Sequence, residues 1–353
     1  MKHCLADLTY AEIVDLVSKE NIEAYRADQL QNMILKCKTY DETTNIPRAL
    51  KDALSTVYDA RAVELECEYC GKDNVKKYLF KLRDGYTIES VYMPHGYGDT
   101  VCVSTQVGCK MGCVFCASGI GGLVRNLTPA EILGQVLLAE RLNAREDGKR
   151  AITNIVLMGS GEPLDNYENV LRFILLVSNC KGLNVSPRNI SLSTVGVPGK
   201  IEQLADSGFQ ITLAISLHAP TDEKRNKLIP HNRKFGISDI IKATKYYFEK
   251  THRRIIFEYA LTDGENSDIK SAEQLVALIK GLPCHVNLIP LNPVKEKRLR
   301  TASRINQQTF LDFLTKERIS ATIRRSMGSD IAGACGQLRN QFVGDKAVNE
   351  TQK

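Results

Sequence analysis

From residue 101 onward, apolar runs of strand length recur at 101–106, 152–159, 189–196, 210–218, 254–262 and 285–291. Helix-like stretches at 128–146, 166–179, 199–206, 237–250 and 271–281 separate most of them. No other feature restricts the fold so sharply. Parallel strands need long crossovers, and helices are the usual crossovers, so this alternation predicts an α/β fold with a parallel sheet and right-handed connections. Six such units leave the sheet open or curl it into a partial (β/α)6 barrel. In either case an active site gathers at the carboxyl ends of the strands.

Polar and metal-binding residue types do fall there. A loop with three cysteines follows the first run, and Gly159-Ser160-Gly161-Glu162-Pro163 follows the second. Ser193 and Thr194 end the third, Ser216 and His218 end the fourth, and Asn292 lies just past the sixth.

Ahead of this core the pattern differs. Residues 1–60 read as helices: Thr9-Tyr10-Ala11-Glu12 has the form of a capping box, followed by Ile13, Val14, Leu16 and Val17 on one face, and further helices fit 22–36 and 47–58. Within 61–98, YLFKL (78–82) and YTIESVYM (86–93) flank Asp84-Gly85, the signal of a β-hairpin. The expected organisation is therefore a helical accessory domain (1–60), a hairpin region (61–98), the α/β core (99–342) and a disordered tail (343–353).

No apolar run approaches the roughly 18 residues of a membrane span, and the N-terminal stretch has no signal-peptide core. A cytoplasmic, reducing location is expected, where eleven cysteines argue for metal or thiol chemistry over disulfides. The net charge is +6, but residues 224–254 carry ten Lys/Arg against two Asp/Glu, and 295–325 carry nine against three. Such concentration suits a polyanion such as RNA, and equally a pair of solvated helix faces.

The cysteine loop reads GCKMGCVFC, with Cys109, Cys113 and Cys116 in Cx3Cx2C spacing. A structural zinc site wants four ligands, and no fourth is visible nearby. A [4Fe–4S] cluster wants one thiolate per iron. Three cysteines supply three and leave one iron open to a substrate or cofactor. Gly108 and Gly112 permit the turns that aim three side chains at one point.

This loop at the head of a (β/α)6 pattern resembles the radical S-adenosylmethionine (SAM) superfamily. CVSTQVGC (102–109), FCASGIGGLVRNLT (115–128), MGSGEPLDNY (158–167), LSTVGVPG (192–199), LAISLHAP (213–220), NLIPLNP (287–293) and TIRRSMGSDIAGACGQL (322–338) narrow the likeness. Together they closely resemble the RlmN-type RNA adenine-C2 methyltransferases, over nearly the whole chain.

The resemblance implies a radical SAM barrel with a [4Fe–4S] cluster on Cys109, Cys113 and Cys116, and two SAM molecules per turnover. Gly161, Glu162, Ser193, Ser216, Leu217, His218 and Asn292 match the SAM-binding positions. Cys335 would accept a methyl group from one SAM. A radical made from the second would remove hydrogen from that methyl, and the resulting methylene radical would add to carbon 2 of adenine. Cys102 would release the product by attacking the Cys335 sulfur, which implies a possible disulfide between them. Glu89 matches the base that removes the C2 proton. The implied substrates are 23S rRNA, in the peptidyl-transferase region, and tRNA, beside the anticodon. The implied form is a monomer away from membranes, reduced by a donor such as flavodoxin or ferredoxin, with residues 1–60 helping to bind RNA.

Two alternatives stay open. A sister family methylates carbon 8 of a ribosomal adenine and confers antibiotic resistance, although Pro163 after Gly161-Glu162 is the C2-type form. An RNA-binding protein with a structural iron–sulfur cluster is the other. Read without the resemblance, Cys102 is equally a core residue and His218 a satisfied strand-end histidine. Cys67 and Cys70 form a CxxC outside the pattern, and Cys4, Cys37, Cys180 and Cys284 show no motif.

Overall fold

The computed structural model describes residues 2–19, 22–96, 98–339 and 341–342. The expected tail, 343–353, lies outside them.

The parallel sheet is present. Strands Asp99–Cys102, Ile152–Leu157, Ile190–Thr194, Thr212–Ser216, Ile255–Leu261 and Cys284–Pro290 lie side by side in chain order, all parallel. These are the first to sixth barrel strands below. A seventh, Ala321–Ile323, adds to the sixth with Val286 opposite Ala321. Its residues are only partly buried, so it lacks the apolar run that reveals the others.

The crossovers fit the expected helices to within a few residues: Pro129–Leu142, Tyr167–Ser178, Pro198–Asp206, Ile237–Thr251 and Ile269–Ile279. The first starts where its sequence says. Thr128 accepts from the Glu131 N–H, the Glu131 carboxylate accepts from the Thr128 N–H, and Pro129 fills the first turn. A helix at Arg304–Lys316 precedes the seventh strand.

The barrel does not close. On its far side the first strand pairs with Tyr86–Met93, antiparallel, with Val91 opposite Cys102. Lys76–Lys81 follows, as the hairpin signal predicts, and then Glu64–Cys70 makes the hairpin a three-stranded meander. That third strand is exposed or half-exposed at every residue, so no alternation marks it in the sequence. The segment 324–339 spans the open side and is stitched at both ends. Gly328 N–H donates to Asp73 at 2.9 Å, and Arg339 N–H donates to Glu89 at 2.8 Å.

The N-terminal helices Tyr10–Lys19, Tyr25–Leu35 and Arg48–Val57 pack on the barrel's outer helices, and their apolar residues are continuous with its core. Thr9 caps the first through Glu12. Asp7 accepts from the Ala130 N–H at 2.8 Å, and Arg141 pairs with Glu42 at 2.7 Å.

Candidate active site

At the carboxyl ends of the strands lies a cavity of about 160 Å³. It is walled by Cys109, Cys113 and Cys116 on one side and by Gly161, Glu162, Ser193, Ser216, His218 and Asn292 on the others. Nine of the ten residues expected to hold cluster and SAM thus meet in one place. Leu217 is the correction. Its side chain is fully buried in the barrel core, and its carbonyl accepts from Arg225 Nε at 2.9 Å. The chain turns at this point, and Ser216 and His218 face the cavity from either side of it.

The cavity depends on glycine. The second-strand loop crosses directly over residues 103–106, where Gly159 N–H donates to the Val103 carbonyl at 3.0 Å and the Ser160 carbonyl accepts from Thr105 at 2.8 Å. A Cβ on Gly161 would stand 2.6 Å from Gln106 Cβ, and its φ of +109° already excludes other residues.

Glu162 is held by backbone. Its carboxylate accepts from the N–H groups of Leu164 at 3.1 Å and Val195 at 2.9 Å. Burial nevertheless pushes its carboxyl up to about 7. The Ser193 and Ser216 hydroxyls are 3.1 Å apart across neighbouring strands. His218 Nδ1 accepts from the Ala260 N–H at 2.9 Å, which places the imidazole proton on Nε2. Burial, reinforced by the Arg225 charge, lowers its pKa to about 3, so the ring is neutral. It meets Phe115 edge-on at 4.8 Å.

The donor set fits an iron–sulfur cluster. Gly108 and Gly112, with φ of +78° and +69°, turn the loop so that its three cysteines face the cavity. Burial pushes the Cys109 thiol up to about 12 and that of Cys113 well above its ordinary value, each raised further by its cysteine neighbours. Soft iron is the kind of partner that holds such thiols as thiolates. Among the described residues no three Cys, His, Asp or Glu side chains converge tightly enough for one metal ion. The convergent polar groups that line the cavity likewise suit a cofactor such as SAM.

A second, outer cavity of about 680 Å³ adjoins the first. Cys102 and Cys335 both line it, and Cys335, Asn292 and Arg324 line the two cavities together. Cys102 is buried, and its thiol is pushed up to about 12 by burial and then by its neighbour Cys335. Cys335 is solvent-accessible, but the protein around its thiol still raises it, with Arg324 opposing. Both are free thiols. Glu89 stands apart and lines neither cavity. Its carboxylate pairs with Lys77 at 3.1 Å and accepts from the Arg339 N–H, beneath the segment that carries Cys335.

Three residues escape the sequence reading. Arg225 counts there only as charge in a basic run, yet it is 1% exposed. It donates to the carbonyls of Val195, Leu217 and Ser216 and to Asn232 behind the cysteine loop. Glu258 and Arg324 form an ion pair at 3.7 Å within the barrel. A lone acid in IIFEYAL was the available signal for Glu258, since such a residue is seldom buried without a task. Cys67 and Cys70, three apart on a regular strand, point to opposite faces and share no site.

A curled parallel sheet with a three-cysteine loop and a polar-lined cavity at its carboxyl end defines a radical SAM enzyme, and the Radical SAM superfamily pattern matches residues 103–276. A radical SAM methyltransferase from Sphaerobacter thermophilus has the same fold, with a TM-score of 0.92 and 42% identity over 96% of this chain and 99% of that one. The "Probable dual-specificity RNA methyltransferase RlmN" of Clostridium tetani is 47% identical, covering 96% of each chain. That of Lachnoclostridium phytofermentans is 46% identical over 92% of this chain and 91% of the relative. The chain belongs to the RlmN family and is a SAM-dependent RNA methyltransferase of the radical SAM class. No described helix is long and apolar enough to cross a membrane.

Proposed function

We propose that this enzyme methylates carbon 2 of adenine in 23S rRNA, in the peptidyl-transferase region, and in tRNA beside the anticodon. The observation that carries this reading is the position of Cys335 on the wall shared by the two cavities. Carbon 2 is an electron-poor ring carbon and cannot attack a sulfonium methyl directly. A carrier thiol must therefore reach SAM on one side and the base on the other.

In this reading Cys109, Cys113 and Cys116 hold the cluster, and Gly161, Glu162, Ser193, Ser216, His218 and Asn292 hold SAM. When bound, the cluster supplies the electron that turns a second SAM into a hydrogen-abstracting radical. Cys335 carries the methyl carbon to the base, and Cys102, in the outer cavity, attacks the Cys335 sulfur to free the product. That step leaves a Cys102–Cys335 disulfide, to be reduced before the next turnover. Glu89 can serve as the base for the C2 proton only once its ion pair with Lys77 opens. Pro163 after Gly161-Glu162 favours carbon 2 over carbon 8. The exposed Arg298 and Arg300 flank Leu299, which packs on the cysteine loop at the cavity rim, and suit RNA phosphates. Residues 1–60 are assigned to RNA binding as well. The enzyme works as a cytoplasmic monomer reduced by flavodoxin or ferredoxin.

The test is mass spectrometry of adenosines from ribosomal RNA and tRNA of a strain lacking the gene. Loss of 2-methyladenosine from both is expected. Loss of 8-methyladenosine instead would reassign the carbon.

A further inference from the structure

Glu258 is the lone acid of the fifth barrel strand and is 4% exposed. Its Oε1 accepts from Asn287 Nδ2 at 2.9 Å and lies 3.7 Å from Arg324 Nη1. Its Oε2 is buried with no hydrogen-bond partner among the described residues. An unmatched buried carboxylate oxygen is costly, and so marks a place where a proton or ligand is received. Glu258, Arg324 and Cys335 line the same cavity. The groups acting on the Cys335 thiol include Arg324, Glu258 and Cys116, and its neighbour across the outer cavity is Cys102.

We propose that Glu258 takes the proton of the Cys335 thiol and that Arg324 holds the resulting thiolate, readying the sulfur for methyl transfer. This deepens the reading of Cys335 as methyl acceptor and rests on it. The S–H bond breaks with its electron pair left on sulfur and its proton on Glu258 Oε2. That pair then forms the S–CH3 bond, while the C–S pair of the sulfonium departs with S-adenosylhomocysteine. No oxidant or further reactant is involved.

Electrostatics favours the exchange. Before it, Arg324 is paired with a carboxylate, and after it with a thiolate, so the pocket holds the same number of charges throughout. The surrounding protein raises the Cys335 thiol, with Arg324 opposing, so the sulfur needs an acceptor for its proton, and burial raises Glu258, which favours its taking one. Glu258 and Arg324 also line a separate cavity of about 220 Å³, by which Glu258 can release the proton once methyl transfer is complete.

The test uses anaerobically reconstituted holoenzyme whose Cys335 is a free thiol by mass. The probe is SAM carrying a CD3 methyl, and mass spectrometry follows Cys335 methylation between about pH 6 and 9. With the proton kept inside the pair, the wild-type rate is flat across neutral pH. In Glu258→Gln the proton must go to solvent, so the rate falls below wild type at low pH and climbs about tenfold per pH unit. Arg324→Met slows methylation at every pH, and Arg324→Lys recovers part of it. A Glu258→Gln profile that overlays the wild type overturns the proton acceptor while leaving Cys335 as carrier. Wild-type protein that never gains the methyl mass on Cys335 overturns both. Should Glu258→Gln fail to fold, equal rates in Arg324→Met and Arg324→Lys overturn the proposal.

Discussion

Asn292 Nδ2 donates to the backbone carbonyl of Cys335 at 3.2 Å. One amide beyond the sixth strand thus lines the proposed SAM cavity and anchors the proposed methyl carrier. A second bond, from Gln337 Nε2 to the Pro293 carbonyl at 3.0 Å, runs the other way between the same segments. Removing the first with Asn292→Ala should loosen Cys335 and weaken SAM binding together. A net hydrogen bond of about 1 kcal/mol corresponds to a roughly fivefold effect on each. Calorimetric SAM titration and the rate of Cys335 methylation read them separately. A loss confined to SAM binding would show that the tether does not position Cys335.

RNA binding should depend on the rim of the inner cavity. The basic segments divide in the fold: Lys242, Lys245 and Lys250 lie on an outer helix, whereas Arg298 and Arg300 flank Leu299, which packs in one apolar cluster with the cysteine loop. Arg298→Glu with Arg300→Glu should weaken RNA binding and reduce the slope of log K against log salt by about 1–2. Charge reversal of Lys242 with Lys245 should do much less. Equal effects from the two pairs would mean that RNA covers the outer helices as well.

His218 makes the fold acid-sensitive in a defined window. The folded ring binds its proton only near pH 3, against 6.5 for the ordinary imidazole. Its contribution to stability is therefore complete above pH 6.5 and is lost as pH falls toward 3. By pH 4 the loss is about 3 kcal/mol. Denaturant unfolding of wild type and His218→Gln across this range should show a steeper acid decline in the wild type. Parallel declines would mean that the native ring takes up its proton without cost.

The barrel is legible in the sequence because strands such as Ile255–Leu261 are buried on both faces and so read as continuous apolar runs. The helix Arg304–Lys316 escapes because its buried residues, Gln307, Phe310 and Leu314, are too few and too mixed to form a stripe. The three loop cysteines were visible by type and spacing, and the strand-end rule gathered Gly161, Glu162, Ser193, Ser216, His218 and Asn292 with them around a cavity, whereas Cys335, Cys102 and Glu89 were marked only by the family resemblance. Arg225 was not visible, because a charged side chain in a basic run carries no mark of whether it faces solvent or core, whereas Glu258 was marked only by standing alone in an apolar strand. The meeting of Cys102 with Cys335 is tertiary as well. It is made by hydrogen bonds that Asp73 and Glu89 accept and Asn292 donates, which draw residues 324–339 across the open barrel.

Cys102 and Cys335 act at different steps of the proposed reaction, so their removal should fail differently. Cys335→Ala has no thiol to accept the methyl group, and no carbon should reach RNA. The three-cysteine loop is untouched, so the variant should still assemble its iron and cleave SAM. Cys102→Ala keeps the carrier but loses the thiol that attacks its sulfur. The link between Cys335 and the base then has no route to resolution, and the variant should accumulate RNA joined covalently to protein. Cys102 suits this role, since it lines the outer cavity beside Cys335 and its raised thiol stays protonated until the adduct forms. The measurement is a denaturing gel of Cys102→Ala protein made in cells, with and without ribonuclease. A slow, nuclease-sensitive band is expected, and it should vanish when Cys335→Ala is added. Adduct that persists without Cys335 would place the carbon on another residue and remove Cys335 from the reaction.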